Sequence, residues 1–209
     1  PGQREDIIVV IAGDIFHHKT RYAPEDVDDF NYLCDGFSNL GVTIILIPGN
    51  HDANLSGVNL DLITPLIPSR KNVHYLHNTG YFNIRGVKFY HHSVFDKGGI
   101  TVGSSVDSGA GSSKTEDTIL LYHGIVDGVT FGKHVENGTR VSRELMSSFY
   151  LCLFGEVHEH SFITPTAAYP GSLIQQNLGE SSVKGFIVWS IAERTGKFVR
   201  LNNERGFLR

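Results

Sequence analysis

Short apolar runs rich in β-branched residues constrain the fold of this chain most strongly. They occur at residues 7–11, 42–47, 118–122 and 150–154. Continuous runs of about four to eight such residues are typical of strands that a sheet buries on both faces. A helical pattern at residues 24–40 separates the first two runs. A strand, a helix and a strand in this order predict a parallel pair with a crossover helix, and therefore an α/β fold.

The remaining local signals complete this outline. Residues 81–90 predict a hairpin that turns at Arg85-Gly86, and residues 185–191 and 197–201 predict another. The Gly- and Ser-rich stretch 98–117 predicts a mobile loop. Since no internal repeat or linker interrupts the chain, we expect one domain over residues 1–209.

Composition excludes several classes of protein. The chain has 18 Lys and Arg against 22 Asp and Glu, a net charge of −4. This charge excludes a protein whose whole surface is basic and covers nucleic acid. No apolar run approaches the roughly 18 residues of a membrane span. The two cysteines, Cys34 and Cys152, form neither a metal-type pair nor a disulfide framework, so we expect an intracellular, reducing location. Eleven histidines are unusual, and imidazole is the commonest protein metal ligand.

Polar residues of the type that bind metals follow all four apolar runs. The carboxyl ends of strands in α/β sheets form the crevice where sites are built, so we expect these side chains to meet. They are Asp14, Asn50, His51, His123, Glu156 and His158. Carboxylate, amide and imidazole ligands without thiolate suit Mn²⁺, Fe²⁺ or Zn²⁺. The set is too large for one ion, which favours two ions about 3.5–4 Å apart that act on a phosphoryl group.

Other catalytic signatures are absent from the sequence. It contains no Gly-rich phosphate loop ending in Gly-Lys-Ser/Thr, no dinucleotide fingerprint, no Gly-x-Ser-x-Gly elbow and no His-Glu-x-x-His helix. Four motifs occur instead, in this order: Gly13-Asp14, Gly49-Asn50-His51-Asp52, His123-Gly124 and Gly155-x-x-His158. Together they resemble the calcineurin-like metallophosphoesterases from about residue 7 to residue 201. The resemblance implies a sandwich of two mixed β-sheets flanked by helices, with the site at the strand C-termini.

Two further features resemble the SbcD-type nucleases of double-strand-break repair. His17 stands three residues beyond Asp14, and the segment Ala168-Tyr169-Pro170-Gly171-Ser172-Leu173 follows the last metal motif. This resemblance implies a DNA exonuclease or endonuclease that works with an SbcC-type ATPase subunit, and it also allows a homodimer. The alternatives are a phosphatase or small-molecule phosphodiesterase of the same superfamily, and a scaffold without catalytic activity.

The resemblance implies a role for each motif residue. Asp14 would bridge two metal ions, with Mn²⁺ expected and Mg²⁺, Fe²⁺ or Zn²⁺ as alternatives. Asn50, His123 and Glu156 would complete the shell of one ion, and His158 would serve the other.

The same resemblance implies three catalytic residues. His51 would contact the scissile phosphate, oriented by Asp52, and His17 would position the phosphate. A metal-activated hydroxide would be the nucleophile.

The chain departs from the family pattern in two places. The opening Asp-x-His of the family occurs nowhere in the sequence, which we interpret as a missing first strand; a capping domain is not expected either. Glu156 occupies the position where the family usually has His, which would favour hard ions such as Mn²⁺ or Mg²⁺.

Overall fold

The computed structural model describes residues 6–55, 60–67, 70–98, 100, 115–127 and 140–203. Apart from residues 98, 100 and 115–117, the loop predicted at 98–117 lies outside the described residues. The described strands are, in chain order, β1 Ile8–Ala12, β2 Thr43–Ile47, β3 Ala53–Asn54, β4 Leu60–Asp61, β5 Val73–Tyr75, β6 Gly80–Ile84, β7 Val87–His92, β8 Thr118–His123, β9 Ile125–Val126, β10 Arg140–Val141, β11 Leu151–Gly155, β12 Ser161–Thr164, β13 Ala167–Tyr169, β14 Gly185–Ser190 and β15 Thr195–Arg200. The described α-helices are α1 Pro24–Asn39 and α2 Arg143–Ser147.

Helix α1 covers the helical pattern at residues 24–40 except for its last residue. Pro24 occupies its first turn, and Glu25 and Asp26 follow at the positive end of the helix dipole. The carboxylate of Asp26 accepts a hydrogen bond from the backbone N–H of Ala23, which closes the first turn. Gly41, with a φ of 72°, follows the last turn in a conformation that favours glycine.

The described strands form two main sheets. The first has the order β1-β2-β5 and is parallel throughout its described strands. The second has the order β12-β13-β11-β8-β7-β6, with parallel pairs at its centre and antiparallel pairs at its two edges. The predicted hairpins are present as β6–β7 and β14–β15. Arg85 and Gly86 both have positive φ, as a two-residue hairpin turn of type I′ requires.

Successive side chains of a strand point to opposite faces of its sheet, and this alternation produces three apolar layers. On β2, Ile45 and Ile47 pack against the second sheet, whereas Ile44 and Leu46 pack against α1. On β8, Ile119 and Leu121 face the first sheet, whereas Leu120 and Tyr122 face the layer that includes α2. Each fully buried aliphatic side chain contributes about 1.5–3 kcal/mol to folding. The two sheets therefore enclose the central core.

The expected two-sheet sandwich with flanking helices is confirmed, with two refinements. Mixed strand directions are confined to the second sheet, and the described helices are few. Neither of the described α-helices combines the length and the hydrophobicity that a membrane-spanning helix needs.

Candidate metal centre

The four predicted strand ends meet, although they belong to two different sheets. β1 and β2 lie side by side in the first sheet, and β8 and β11 lie side by side in the second. The sheets pack face to face, so the carboxyl ends of β1 and β11 come together. The sequence predicted that these strand ends meet, and the structure adds that β1 and β2 reach the site from one sheet and β8 and β11 from the other.

Gly155, at the end of β11, allows the two sheets to approach closely. A Cβ atom at this position would lie 1.8 Å from the backbone oxygen of Ala12, at the end of β1. Residue 155 is in phase with Leu151 on the face of β11 that packs toward the first sheet. No other residue fits there without a shift of the backbone. The glycine that begins the Gly-x-x-His motif is therefore a packing requirement.

His123 is anchored by the same strand end. Its ring Nδ1 lies 2.6 Å from the backbone oxygen of Ala12. Because a carbonyl oxygen only accepts hydrogen bonds, Nδ1 carries a proton, so Nε2 on the other side of the ring is the atom that either holds a second proton or offers a lone pair to a cation. That Nε2 lies 2.8 Å from a carboxylate oxygen of Glu156 and 3.4 Å from one of Asp14.

The Nε2 atom of His123 faces the carboxylates of Asp14 and Glu156. Because a lone pair and two carboxylates repel one another, this arrangement requires a positive charge between Nε2 and the carboxylates. Burial disfavours a charged His123, but the carboxylates of Asp14 and Glu156 outweigh burial and raise its pKa. Neither contact has the alignment of a hydrogen bond, and Nε2 has no aligned partner among the described residues. One ligand atom from each of Asp14, His123 and Glu156 lies within 4.8 Å of the others. The three residues therefore fit a divalent cation, which would replace the proton.

Asp14 and Glu156 both have backbone conformations that are unusual for residues with side chains. Their φ angles are 56° and 97°, in the left-handed region. Such conformations cost about 1–3 kcal/mol and are found preferentially at functional sites.

Burial tends to raise the pKa of Asp14, but His123 and the backbone N–H of His51 lower it overall, which keeps the carboxylate ionised. A Cβ atom on Gly49 would lie 2.2 Å from the Asp14 carboxylate, so only glycine fits there.

The Gly-Asn-His-Asp motif reaches the cluster through two of its residues. The side-chain amide of Asn50 donates to Glu156 over 3.1 Å, and the backbone N–H of His51 donates to Asp14 over 2.9 Å. The structure thus brings together Asp14, Asn50, His123 and Glu156, the residues that were expected to share one ion, although their metal-binding roles stay a prediction.

His51 and His17 lie side by side next to Asp14. The Nδ1 of His51 lies 2.8 Å from the backbone oxygen of His17, and the two rings stack with centroids 5.6 Å apart. His17 is exposed, whereas His51 is partly buried. Both imidazoles are therefore placed where a phosphate group could approach from solvent.

Asp52 was expected to orient His51, but in the described part of the chain its carboxylate bonds to backbone groups rather than to the His51 ring. Asp52 is fully buried, and its carboxylate accepts hydrogen bonds from the backbone N–H groups of Phe16 and Gly49, over 2.8 and 2.9 Å. Burial raises the pKa of Asp52 to about 6 in spite of these bonds. Asp52 therefore ties the loop after β1 to the loop after β2, and the carbonyl oxygen of His17 orients His51 instead.

His158 lies on the surface, outside the group formed by Asp14, His123 and Glu156. Its Nδ1 is 2.8 Å from the carboxylate of Glu180, which in turn pairs with the buried Lys184. The sequence did not predict these two residues. They lie in a polar segment without periodicity, and only their burial reveals that they are paired charges.

Comparison with known proteins agrees with this geometry. The family model for calcineurin-like phosphoesterases matches residues 2–168. A protein of Acanthamoeba polyphaga mimivirus, described as "Uncharacterized protein R555", is 31% identical over 212 residues. The alignment includes 97% of this chain but only 16% of that protein, so the chain spans about a sixth of this relative. The match with the family model extends over most of the chain and includes the strand ends that carry the cluster, and we conclude that the chain belongs to the calcineurin-like phosphoesterase family.

Proposed function

We propose that this chain is the core of a two-metal phosphodiesterase that cleaves DNA, using Mn²⁺ and acting with an SbcC-type ATPase at an intracellular site of DNA processing. Membership of the phosphoesterase family supports metal-dependent hydrolysis of a phosphoester. The observation that carries the proposal is the convergence of Asp14, Glu156 and the His123 lone pair, which fits a divalent cation.

The residues of the chain have distinct roles in this proposal. Asp14, Asn50, His123 and Glu156 would hold one ion, and Asp14 and His158 would contribute to the second. Divalent ions in these positions would activate water and neutralise charge on the phosphoryl oxygens. His51 donates its Nδ1 proton to the backbone oxygen of His17, so its Nε2 is the ring atom that would bind the phosphate or hold a proton for the leaving oxygen.

Two features that resemble the SbcD-type nucleases are the basis for proposing a nuclease rather than another phosphoesterase. The exposed His17 extends the site toward solvent, where a polymer can pass. The segment 168–173 is the second feature, and it forms hydrogen bonds with two of the motifs. The Tyr169 hydroxyl donates to the oxygen of Gly124 over 2.7 Å, and the backbone N–H of Ser172 donates to the oxygen of His158 over 3.1 Å.

Activity assays of the full-length protein on two substrates test this proposal. We expect Mn²⁺-dependent cleavage of linear duplex DNA, little hydrolysis of p-nitrophenyl phosphate, and loss of both in Asp14→Asn. The exposed His18→Gln serves as a matched control that keeps the activity. Preferential hydrolysis of the monoester would favour a phosphatase instead. A folded protein that binds no metal and cleaves neither substrate would indicate a scaffold.

A further inference from the structure

We propose that Glu180, with Lys184 as its counter-ion, is a positioning residue that sets the tautomer and direction of the His158 ring and turns Nε2 toward a divalent cation. This inference rests on the proposed function, because that function assigns His158 to a metal ion. It adds two residues that no sequence motif indicated, and it predicts a property of the metal-free protein.

The Glu180 carboxylate is saturated with donors. One oxygen lies 2.8 Å from both the Nδ1 of His158 and the side-chain amide of Asn177. The other accepts from the backbone N–H of Gln176 over 2.9 Å and from the Lys184 ammonium over 2.8 Å. A carboxylate has about four acceptor positions, so these donors leave no place for a carboxyl proton. The group is therefore an anion that only accepts.

An anion that only accepts fixes the tautomer of His158. Because Glu180 cannot donate, the hydrogen of this contact belongs to Nδ1 of the ring. The neutral imidazole then carries its lone pair on Nε2, which is the atom that can bind a cation. The side chain of His158 is 49% exposed, whereas that of Glu180 is 9% exposed, so the anchor lies inside and the ring reaches outward.

Lys184 holds both parts of this arrangement. Its side chain is only 2% exposed, and its ammonium contacts the Glu180 carboxylate over 2.8 Å and the backbone oxygen of His158 over 2.7 Å. One buried cation thus neutralises the anchor and fixes the backbone from which the ring extends. Carboxylates that accept from the second nitrogen of a metal-binding histidine commonly raise metal affinity by about 10- to 100-fold.

Glu180→Gln tests the tautomer directly. Lys184 and the backbone N–H of Gln176 both donate, so the side-chain atom that faces them must remain an oxygen. The amide NH₂ of the glutamine would therefore face Nδ1 of His158. That nitrogen would then accept, and the proton would move to Nε2. The tautomer can be read from the ¹⁵N chemical shifts of the two ring nitrogens in metal-free, histidine-labelled protein at mildly alkaline pH, with His158→Asn to assign the signals.

The expected result is an Nδ1–H tautomer in the wild type, an Nε2–H tautomer in Glu180→Gln, and Mn²⁺ affinity about 10- to 100-fold weaker by calorimetry. In the His158→Asn background, Glu180→Gln should add little further loss. Glu159→Gln is the matched control, since its carboxylate binds the backbone N–H of Ser181 in the same segment without contacting the ring. Lys184→Met should weaken Mn²⁺ binding in the same direction.

Three results would overturn the inference. They are an Nε2–H tautomer in the wild type, an unchanged tautomer in folded Glu180→Gln, and an equal loss of affinity with and without His158. The first needs no variant, so the inference remains testable even if a substitution prevents folding. Failure of the wild type to bind Mn²⁺ would contradict the proposed function instead, and the tautomer would still decide the positioning role.

Discussion

The ring of His51 is oriented by a backbone atom of His17, because its Nδ1 lies 2.8 Å from the His17 carbonyl oxygen. The two rings also stack, with centroids 5.6 Å apart. A side chain at position 17 can therefore be removed without removing the group that orients His51. Substitutions at position 17 can therefore distinguish the contribution of the His17 imidazole to activity from that of the His51 imidazole.

We expect His51→Ala to lower kcat for Mn²⁺-dependent diester hydrolysis by about 10²- to 10⁴-fold, the usual contribution of a positioned acid or base. His17→Ala should raise KM more than it lowers kcat, because the carbonyl oxygen that orients His51 remains. Steady-state kinetics on bis(p-nitrophenyl) phosphate measures both effects. Equal losses of kcat in the two variants would contradict this division of roles.

Metal binding should stabilise the protein, and Glu156 should control how strongly. Mn²⁺ at about 100 times its Kd should add about 2.7 kcal/mol to the free energy of unfolding, and EDTA should reverse the gain. Glu156→Gln removes one of the two carboxylates next to His123, so we expect at least about tenfold weaker Mn²⁺ binding. Thermal unfolding with and without Mn²⁺ measures both effects. A Tm gain in Glu156→Gln equal to that of the wild type would show that this carboxylate does not bind the ion.

Gly155→Ala should destabilise the protein strongly, because the added Cβ would lie 1.8 Å from the Ala12 oxygen, which is also the acceptor for His123. Overpacking of this kind typically costs about 1–3 kcal/mol. Gly36→Ala is the matched control. A Cβ atom there meets nothing within 4 Å on helix α1, so we expect a gain of up to about 1 kcal/mol. Urea denaturation compares the two variants, and a neutral Gly155→Ala would contradict the proposed close approach of the sheets.

His91 should make the protein sensitive to acid. The ring is fully buried on β7, and burial lowers its pKa to about 3, helped by neighbouring histidines. In the unfolded chain a histidine has a pKa near 6.5, so only the unfolded state takes up this proton between the two values. The contribution of His91 to the free energy of unfolding is complete above about pH 6.5. It is lost as the pH falls toward 3, by about 1.4 kcal/mol per pH unit.

Urea denaturation of the metal-free protein at a series of pH values tests this expectation. His91→Leu should flatten the decline in stability below about pH 6.5, although it leaves the Asn78 carbonyl oxygen without its present donor. The exposed His18→Leu should leave the decline unchanged. If His91→Leu shows the wild-type slope, another group is responsible for the acid sensitivity.

The sequence predicted the local elements and the residues at their ends because both depend on near neighbours in the chain. Residues 42–47 alternate between two apolar surroundings, and the observed strand Thr43–Ile47 differs from the expected run by one residue. The turn at Arg85-Gly86 is equally local. The ligand types after each strand were also readable, because a motif such as Gly49-Asn50-His51-Asp52 is contiguous.

Only the tertiary structure decided which groups touch. The hydrogen bond from His123 to Ala12 joins residues that are 111 positions apart, and it depends on two sheets packing together rather than on one sheet. Asp52 binds backbone N–H groups, and backbone atoms are the same at every position, so no sequence pattern could separate this contact from a bond to His51. In the sequence, Glu180 and Lys184 resemble ordinary surface charges, and only the folded structure shows that they are buried and paired. Periodicity and motifs are local properties of the chain, whereas burial and charge pairing exist only after distant segments have met.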